Sequence, residues 1–148
     1  MENQIEDIPG LDGNYNTTVQ EYIEIIRDLI VENRVARVKN IASHRGVTRS
    51  SVSTALNMLS DLGLVEHEHY GYVMLTEKGQ TLGEVLAKRH EVILRFLRDC
   101  LQLDPGLADS EACRLEHTMS REALNALVKF VADAENCPVC AKLKQDNG

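Results

Sequence analysis

The chain lacks the features that mark several other classes of protein. Its 148 residues contain no tryptophan and only 4% aromatic residues, a composition that favours a mainly helical protein over a β-sandwich. No apolar run approaches the roughly 20 residues that span a bilayer. The N-terminus is acidic, whereas a signal peptide needs positive charge. We therefore expect a cytoplasmic protein with no membrane partner.

Cysteine is also scarce, with four residues at Cys100, Cys113, Cys137 and Cys140. In a reducing cytoplasm we expect thiols or metal ligands rather than disulfides. Cys100 is predicted to be buried in its helix. Cys137 and Cys140 form a CxxC pair, which is half of a four-ligand zinc site, a redox pair, or simply part of a reduced tail.

Acidic residues are absent from one segment of an otherwise acidic chain. The net charge of −7 argues against binding of nucleic acid over the whole surface. From Arg34 to Ser60, however, five residues are basic and none is acidic. A DNA-binding face needs only local positive charge, so this segment is the place to look for one.

The same segment has the pattern of a helix-turn-helix. We predict a short helix over residues 36–44, a turn at Gly46, and a second helix over residues 49–62 that Thr48 caps. Small polar side chains would face outward from this second helix, as in a recognition helix that enters a major groove. The predicted DNA-binding residues are Arg37, Lys39, Arg45, Thr48, Arg49, Ser50, Ser51, Ser53 and Thr54. Arg37, Lys39 and Arg45 are expected to contact phosphates.

Two short strands are predicted directly after the recognition helix, over residues 64–69 and 72–76, around Tyr70 and Gly71. A hairpin in this position is a wing. His67 and His69 point the same way on the first strand; they are a possible ligand pair, although a solvated wing is the better interpretation.

Helices are predicted on both sides of this region. The first begins near Thr18, where Thr18 and Glu21 fit the capping-box pattern. The others cover residues 77–101, 109–119 and 121–133, and the helical pattern is broken at residues 104–106. The sequence therefore predicts a mainly α protein that contains a winged helix-turn-helix with a small β-hairpin.

Cys113, Glu116 and His117 stand at positions i, i+3 and i+4 of a predicted helix. At this spacing the three side chains share one helix face. Imidazole and thiolate favour iron, cobalt, nickel or zinc, and carboxylates favour manganese or ferrous iron. The motif therefore indicates a divalent transition-metal site; the alternative is a buried thiol beside two surface polar residues.

Three stretches resemble the diphtheria-toxin-repressor family of iron- and manganese-dependent regulators. They are Glu21 to Glu24, Ala36 through the region of Ser51 and Ser53, and Glu111 to Ser120. The resemblance covers about residues 18–131. It implies a winged helix followed by an all-helical dimerisation domain, with metal bound between the two. The chain is too short for the further SH3-like domain of some members, so it is similar to the two-domain manganese-regulator branch.

We expect the following organisation, in which the two central domains are implied by the resemblance and the two end segments are inferred from their composition. Residues 1–16 form a flexible N-terminal segment and residues 17–76 the winged-helix domain. Residues 77–134 form the metal-binding and dimerisation domain, and residues 135–148 a tail with the CxxC pair.

The resemblance also implies a mixed set of metal ligands. The six candidates are Glu21, Glu24, His90, Cys113, Glu116 and His117. The last three match the iron-type motif, whereas two carboxylates on the first helix are typical of manganese-type members. Two ancillary ligands of the iron branch are replaced by Leu94 and Asp109. Six donors suffice for a carboxylate-bridged pair of ions, although Glu21 has the alternative role of completing the capping box.

Together these observations predict a homodimeric repressor that Fe²⁺ or Mn²⁺ activates, with a slight preference for iron. Zn²⁺, Co²⁺ or Ni²⁺ should substitute in vitro. The expected DNA partner is a palindromic operator near metal-uptake genes. The alternative is a winged-helix regulator that senses redox state through Cys137 and Cys140, with a structural metal cluster. The sequence has no nucleophile–base pair and no Gly-rich phosphate loop, so we expect neither an enzyme nor a small organic substrate.

Overall fold

The computed structural model describes residues 15–68 and 71–136, which form a mainly helical fold with a small antiparallel sheet. The helices are α1 (Thr17–Asn33), α2 (Val38–Arg45), α3 (Arg49–Asp61), α4 (Glu77–Arg95), α5 (Pro105–Leu115) and α6 (Arg121–Asn136). The strands are β1 (Ala36–Arg37), β2 (Val65–His67) and β3 (Tyr72–Leu75). None of the helices in this part of the chain is long and apolar enough to cross a membrane.

The chain divides into two compact units inside α4, between Leu86 and Ala87. We call the described residues up to Leu86 the N-terminal unit and those from Ala87 the C-terminal unit. The N-terminal unit contains the helix-turn-helix, the sheet and the start of α4. The C-terminal unit contains the remainder of α4, its π-helical continuation (Phe96–Cys100), α5 and α6. The predicted domain limits stay predictions.

The first helix packs the N-terminal unit through the predicted apolar stripe. Its buried residues are Val19, Tyr22, Ile23, Ile26 and Leu29. The predicted capping box is wrong, because Thr18 lies inside α1. Asn16 caps the helix instead, and its side chain accepts a hydrogen bond of 3.0 Å from the Val19 backbone N–H.

The sheet contains a strand that the sequence pattern did not predict. Ala36 pairs with Val73 and Arg37 with Tyr72, so β1 lies antiparallel to one edge of β3. Strand β2 pairs with the other edge of β3. The predicted start of the short helix at residue 36 is therefore wrong, since residues 36 and 37 belong to β1 and α2 begins at Val38.

The recognition helix follows the predicted pattern closely. Thr48 caps α3, and its hydroxyl oxygen accepts a hydrogen bond of 3.1 Å from the Ser51 backbone N–H. Its buried residues are Val52, Leu56 and Leu59, which form the inner face of the helix. Gly46 ends α2 with a φ of 73°, a left-handed conformation that favours glycine and makes the tight turn between the two helices.

A close approach fixes the start of α4 against the turn before β2. A Cβ atom on Gly79 would lie 2.0 Å from the backbone oxygen of Leu64, so a larger residue would force the two segments apart. The Thr76 hydroxyl donates a hydrogen bond of 2.6 Å to the Gly63 carbonyl. These contacts hold the wing and the helix that follows it in one compact unit.

The C-terminal unit has a small core of its own, formed by Ile93, Leu97, Ala108, Ala112 and Leu124. Helix α5 begins earlier than predicted. Pro105 occupies its first turn and Asp104 caps it, accepting bonds of 3.1 and 3.3 Å from the N–H groups of Gly106 and Leu107. The predicted break between the helices is present, but it covers residues 101–104 and ends before Pro105, because proline is well tolerated in the first helical turn. Cys100 is half-buried rather than buried.

Candidate metal centre and DNA-binding face

The end of α5 brings the three residues of the metal motif together. The helix ends at Leu115, so the predicted end near residue 119 is too late. Glu116 nevertheless keeps helical backbone angles, and its N–H donates a hydrogen bond of 3.0 Å to the Ala112 carbonyl. The helical spacing from Cys113 to Glu116 is therefore retained at the motif.

Glu116 is the buried centre of the cluster, with 3% of its surface exposed. One of its carboxylate oxygens, Oε2, lies 3.0 Å from His90 Nδ1 on α4. The other, Oε1, lies 3.2 Å from His117 Nε2. Burial of a carboxylate is costly unless polar partners surround it. The two imidazoles are such partners, so a strong oxygen donor lies between two nitrogen donors.

His90 also connects the carboxylate to the thiol and to a second acid. Its Nε2 lies 3.0 Å from Oδ1 of Asp109, and its Nδ1 lies 3.8 Å from Sγ of Cys113. Potential ligand atoms of His90, Asp109 and Cys113 all lie within 4.8 Å of one another. The C-terminal unit thus offers imidazole, carboxylate and thiol donors in one place, which is a chemical set that fits a divalent transition metal.

Asp109 is the member of this cluster that the sequence analysis did not include among the ligands. By the family resemblance, Asp109 replaces an ancillary ligand of the iron branch. Its position carries a signal, because Asp109 precedes Cys113 by one helical turn and therefore shares its face of α5. The same helical spacing leads from Cys113 to His117.

Arg89 places positive charge near the buried carboxylate. Burial lowers the pKa of the Arg89 guanidinium, while the nearby Glu116 carboxylate raises it and Arg121 lowers it further. Within the described part of the chain, the buried Nε of Arg89 has no hydrogen-bond partner. The charge of Glu116 is thus offset in part by this arginine.

The other two predicted ligands, Glu21 and Glu24, lie on α1 in the N-terminal unit. Glu21 forms an ion pair with Arg45 of α2. Glu24 is half-buried. Their role as metal ligands stays a prediction, as does that of Cys137 and Cys140, which lie outside the described residues together with His69.

The outer face of α3 carries the predicted DNA-contacting side chains. Thr48, Arg49, Ser50, Ser51 and Thr54 are exposed, and Ser53 is half-buried. The Thr54 hydroxyl donates a hydrogen bond of 3.1 Å to the Ser50 carbonyl, which leaves its oxygen as an acceptor. Hydroxyls of this kind contact bases or phosphates, so they define a face rather than a sequence preference.

Basic residues around this face are held by aromatic rings. Arg37 on β1 donates a hydrogen bond of 3.1 Å to the Tyr72 hydroxyl, and its guanidinium carbon lies 5.0 Å from the ring centroid. Arg45 lies 4.7 Å from the centroid of the Tyr22 ring. Lys39 is exposed on α2, and His67 is exposed on β2.

A winged helix-turn-helix joined in one chain to a helical unit with a transition-metal donor cluster defines a metal-responsive transcriptional regulator. Two family models match the chain. Residues 15–73 match the N-terminal DNA-binding domain of the iron-dependent repressors, and residues 76–142 match their metal-binding and dimerisation domain. The chain belongs to the iron-dependent repressor family, which confirms the resemblance inferred from the sequence.

Curated relatives agree with this assignment. The chain is 33% identical to the transcriptional regulator MntR of Salmonella typhimurium, over 76% of this chain and 71% of the relative. It is 35% identical to an uncharacterised helix-turn-helix transcriptional regulator of Methanocaldococcus jannaschii, over 77% of this chain and 92% of the relative. These relatives are regulators rather than enzymes.

Solved structures show the same fold. The manganese regulator SloR is 31% identical, with a TM-score of 0.66, over 77% of this chain and 53% of that chain. IdeR of T. acidophilum is 24% identical, with a TM-score of 0.69, over 80% of this chain and 55% of that chain. The chain thus spans about half the length of these two proteins. The mainly α fold with a winged helix is confirmed.

Proposed function

We propose that the protein is a homodimeric repressor whose binding to palindromic operator DNA is activated by Fe²⁺ or Mn²⁺. The single observation that carries the proposal is the buried Glu116 carboxylate between His90 and His117, with Cys113 close to His90. As predicted from the sequence, the operators would control metal-uptake genes. A DNA ligand implies a cytoplasmic location.

The proposed ligand set combines the cluster with the two carboxylates of α1. Its members are Glu21, Glu24, His90, Cys113, Glu116 and His117, and Asp109 is added because of its distance from His90. These residues provide enough donors for one or two ions. When bound, a divalent ion supplies positive charge that offsets the carboxylates and favours the thiolate form of Cys113.

The choice between iron and manganese depends on the mixed chemistry of the donors. Carboxylates with imidazole suit both ions, while the Cys113 thiolate shifts the preference towards Fe²⁺ and softer ions. The similarity to a manganese regulator, SloR, supports Mn²⁺. We propose that both ions activate the protein and that Fe²⁺ does so slightly better, with Zn²⁺, Co²⁺ and Ni²⁺ as substitutes in vitro.

The proposed coupling to DNA runs through α1. This helix packs in the same core as α2 and α3, through Ile23 and Ile26, so ligation by Glu21 and Glu24 would act on the helix-turn-helix directly. A two-fold dimer must present its recognition helices at the separation of two half-sites. Metal ligation would narrow the range of distances between the two recognition helices to the distance that fits the operator, which is a population shift.

Exposed apolar side chains of the C-terminal unit support self-association. Leu101, Leu107 and Phe130 are 53%, 48% and 46% exposed. Residues 76–142 match the metal-binding and dimerisation domain of the iron-dependent repressors. We therefore assign the dimer contact to the C-terminal unit.

Fluorescence anisotropy under anaerobic conditions tests the proposal. The protein would be titrated onto DNA from candidate metal-transporter promoters in chelator, Fe²⁺, Mn²⁺ or Zn²⁺ at fixed salt, with scrambled DNA as control. We expect specific binding with metal alone, and the ranking of the ions gives the preference. Tight specific binding that is unchanged by chelator would contradict the proposal and make the cluster structural.

A further inference from the structure

Arg45 and Glu21 form an ion pair that joins two predicted functions within the N-terminal unit. Arg45 lies at the end of α2, before the Gly46 turn, and Glu21 lies on α1. The guanidinium carbon of Arg45 also lies 4.7 Å from the centroid of the Tyr22 ring. The guanidinium is therefore held by a carboxylate and by the face of an aromatic ring.

The two partners have competing assignments. Glu21 is a proposed metal ligand and Arg45 a proposed phosphate contact. A guanidinium that is engaged with a carboxylate has fewer donors for a phosphate, because both anions use the same N–H groups. A carboxylate beside a guanidinium is likewise a poorer ligand, since the arginine repels a second positive charge.

We propose that Arg45 sets the metal threshold by competing with the metal for Glu21, and that it contacts a DNA phosphate once Glu21 is released. This inference rests on the proposed function, because it assumes metal ligation by Glu21. Coupling of this kind is reciprocal, so a change that releases Arg45 should favour DNA, and a change that removes Arg45 should favour metal.

Arg37 provides the contrast within the same unit. It contacts a neutral tyrosine, Tyr72, through the hydroxyl and the ring. Metal ligation at Glu21 would therefore leave the contacts of Arg37 with Tyr72 unchanged. Both arginines are proposed to contact phosphates. Only for Arg45, of these two, would the availability of the guanidinium for a phosphate depend on Glu21.

The first test needs no metal. In chelator, Glu21→Gln should release Arg45 from its ion pair. Fluorescence anisotropy then measures the binding of this variant to duplex DNA of scrambled sequence over a series of salt concentrations. One additional phosphate contact steepens the slope of log K against log salt by about 0.9, which corresponds to roughly fivefold to tenfold tighter binding near 0.1 M salt. An unchanged slope would overturn the proposal.

Two controls separate the ion pair from net charge. Glu32→Gln removes the same charge from an exposed position on α1, and should leave the slope close to that of the wild type. The double variant E21Q/R45Q should lose the gain of E21Q. Equal effects of E21Q and E32Q, or a gain that persists in the double variant, would overturn the proposal.

The second test measures metal binding directly. Arg45→Gln should bind Mn²⁺ several-fold more tightly in isothermal titration calorimetry, because the competing charge is gone. A purely structural role for Arg45 would leave this affinity unchanged or lower it, which would overturn the proposal. Thermal unfolding in chelator checks the fold of R45Q; if it is unfolded, the comparison of E21Q with E32Q decides.

The failure of this inference can be distinguished from failure of the proposed function. Wild-type protein that ignores chelator contradicts metal activation, whatever the variants do. Metal-dependent wild-type binding together with an inert E21Q contradicts the link between Glu21 and Arg45 alone.

Discussion

The central carboxylate of the metal cluster in the C-terminal unit and the predicted DNA-contacting side chains of the N-terminal unit lie in opposite environments. In the C-terminal unit, Glu116 is 3% exposed and its carboxylate lies 3.0 Å from His90. In the N-terminal unit, Thr48, Arg49 and Ser50 stand exposed on the outer face of α3, above a buried apolar stripe. The carboxylate at the centre of the metal cluster is thus part of the packing of the C-terminal unit, although the thiol and the second carboxylate of that cluster are exposed. The predicted DNA-contacting side chains lie on the surface of the N-terminal unit.

This difference separates the consequences of substitution. A change in the donor cluster should alter metal affinity, because each donor is oriented by the next. A change on the surface of α3 should alter DNA affinity and leave stability almost unchanged, since surface substitutions usually shift stability by about 0.5 kcal/mol or less.

The largest effect is expected at Glu116. Glu116→Gln removes the charged donor between His90 and His117, and we expect the affinity for Mn²⁺ to fall by about 100-fold or more, since even supporting partners of a metal site are worth about 10–100-fold. Isothermal titration calorimetry measures this. The matched control is Glu111→Gln, which changes a carboxylate on the same helix that pairs with Arg114. Equal losses in both variants would show that the buried position is not special.

On the opposite side of the comparison, Arg49→Ala should weaken operator binding by about 1–3 kcal/mol if the guanidinium contacts a base. The melting temperature in chelator should stay close to that of the wild type, because Arg49 is exposed. Arg98→Ala removes the same charge from an exposed position in the C-terminal unit and serves as control. A large loss of stability in R49A would break the comparison, since the face would then belong to the packing.

How much of this could be predicted from the sequence differs between the units as well. The stripe of α1, the Thr48 cap and the buried positions of α3 follow from helical periodicity and capping, which are local signals. Strand β1 was missed because two residues carry no period. Its state is decided by pairing with Tyr72 and Val73, which lie far along the chain.

The donor cluster was predictable only in part. Cys113, Glu116 and His117 are close in sequence, so their spacing alone indicates a site. His90 joined them through the family resemblance, because a single histidine on an apolar helix face gives no local signal. The ion pair of Glu21 with Arg45 joins positions 24 residues apart, and only the packing of α1 against α2 brings them together.

A smaller effect is expected at Cys113, and it sharpens the proposal on metal preference. Cys113→Ser replaces a soft thiolate donor with a hydroxyl, so Fe²⁺ and Co²⁺ should lose affinity about tenfold more than Mn²⁺ does. Anaerobic titrations with the three ions measure the differences. Cys100→Ser is the control, because it removes a thiol that is not among the proposed ligands. Cys100 is half-buried in the π-helical turn. Equal losses with all three ions would contradict the assignment.

The smallest effect is expected at Tyr72, where orientation can be separated from charge. Tyr72→Phe removes the hydroxyl that accepts a bond from Arg37 but keeps the ring beneath the guanidinium and the pairing of β1 with β3. We expect a loss of about 0.5 kcal/mol in DNA binding, roughly a twofold rise in Kd. The slope against salt should not change, because Arg37 keeps its charge, whereas Arg37→Ala should reduce that slope by about 0.9. A changed slope in Y72F would mean that Tyr72 decides whether Arg37 reaches the phosphate. The DNA-binding face would then depend on its supporting contacts, as the metal cluster does.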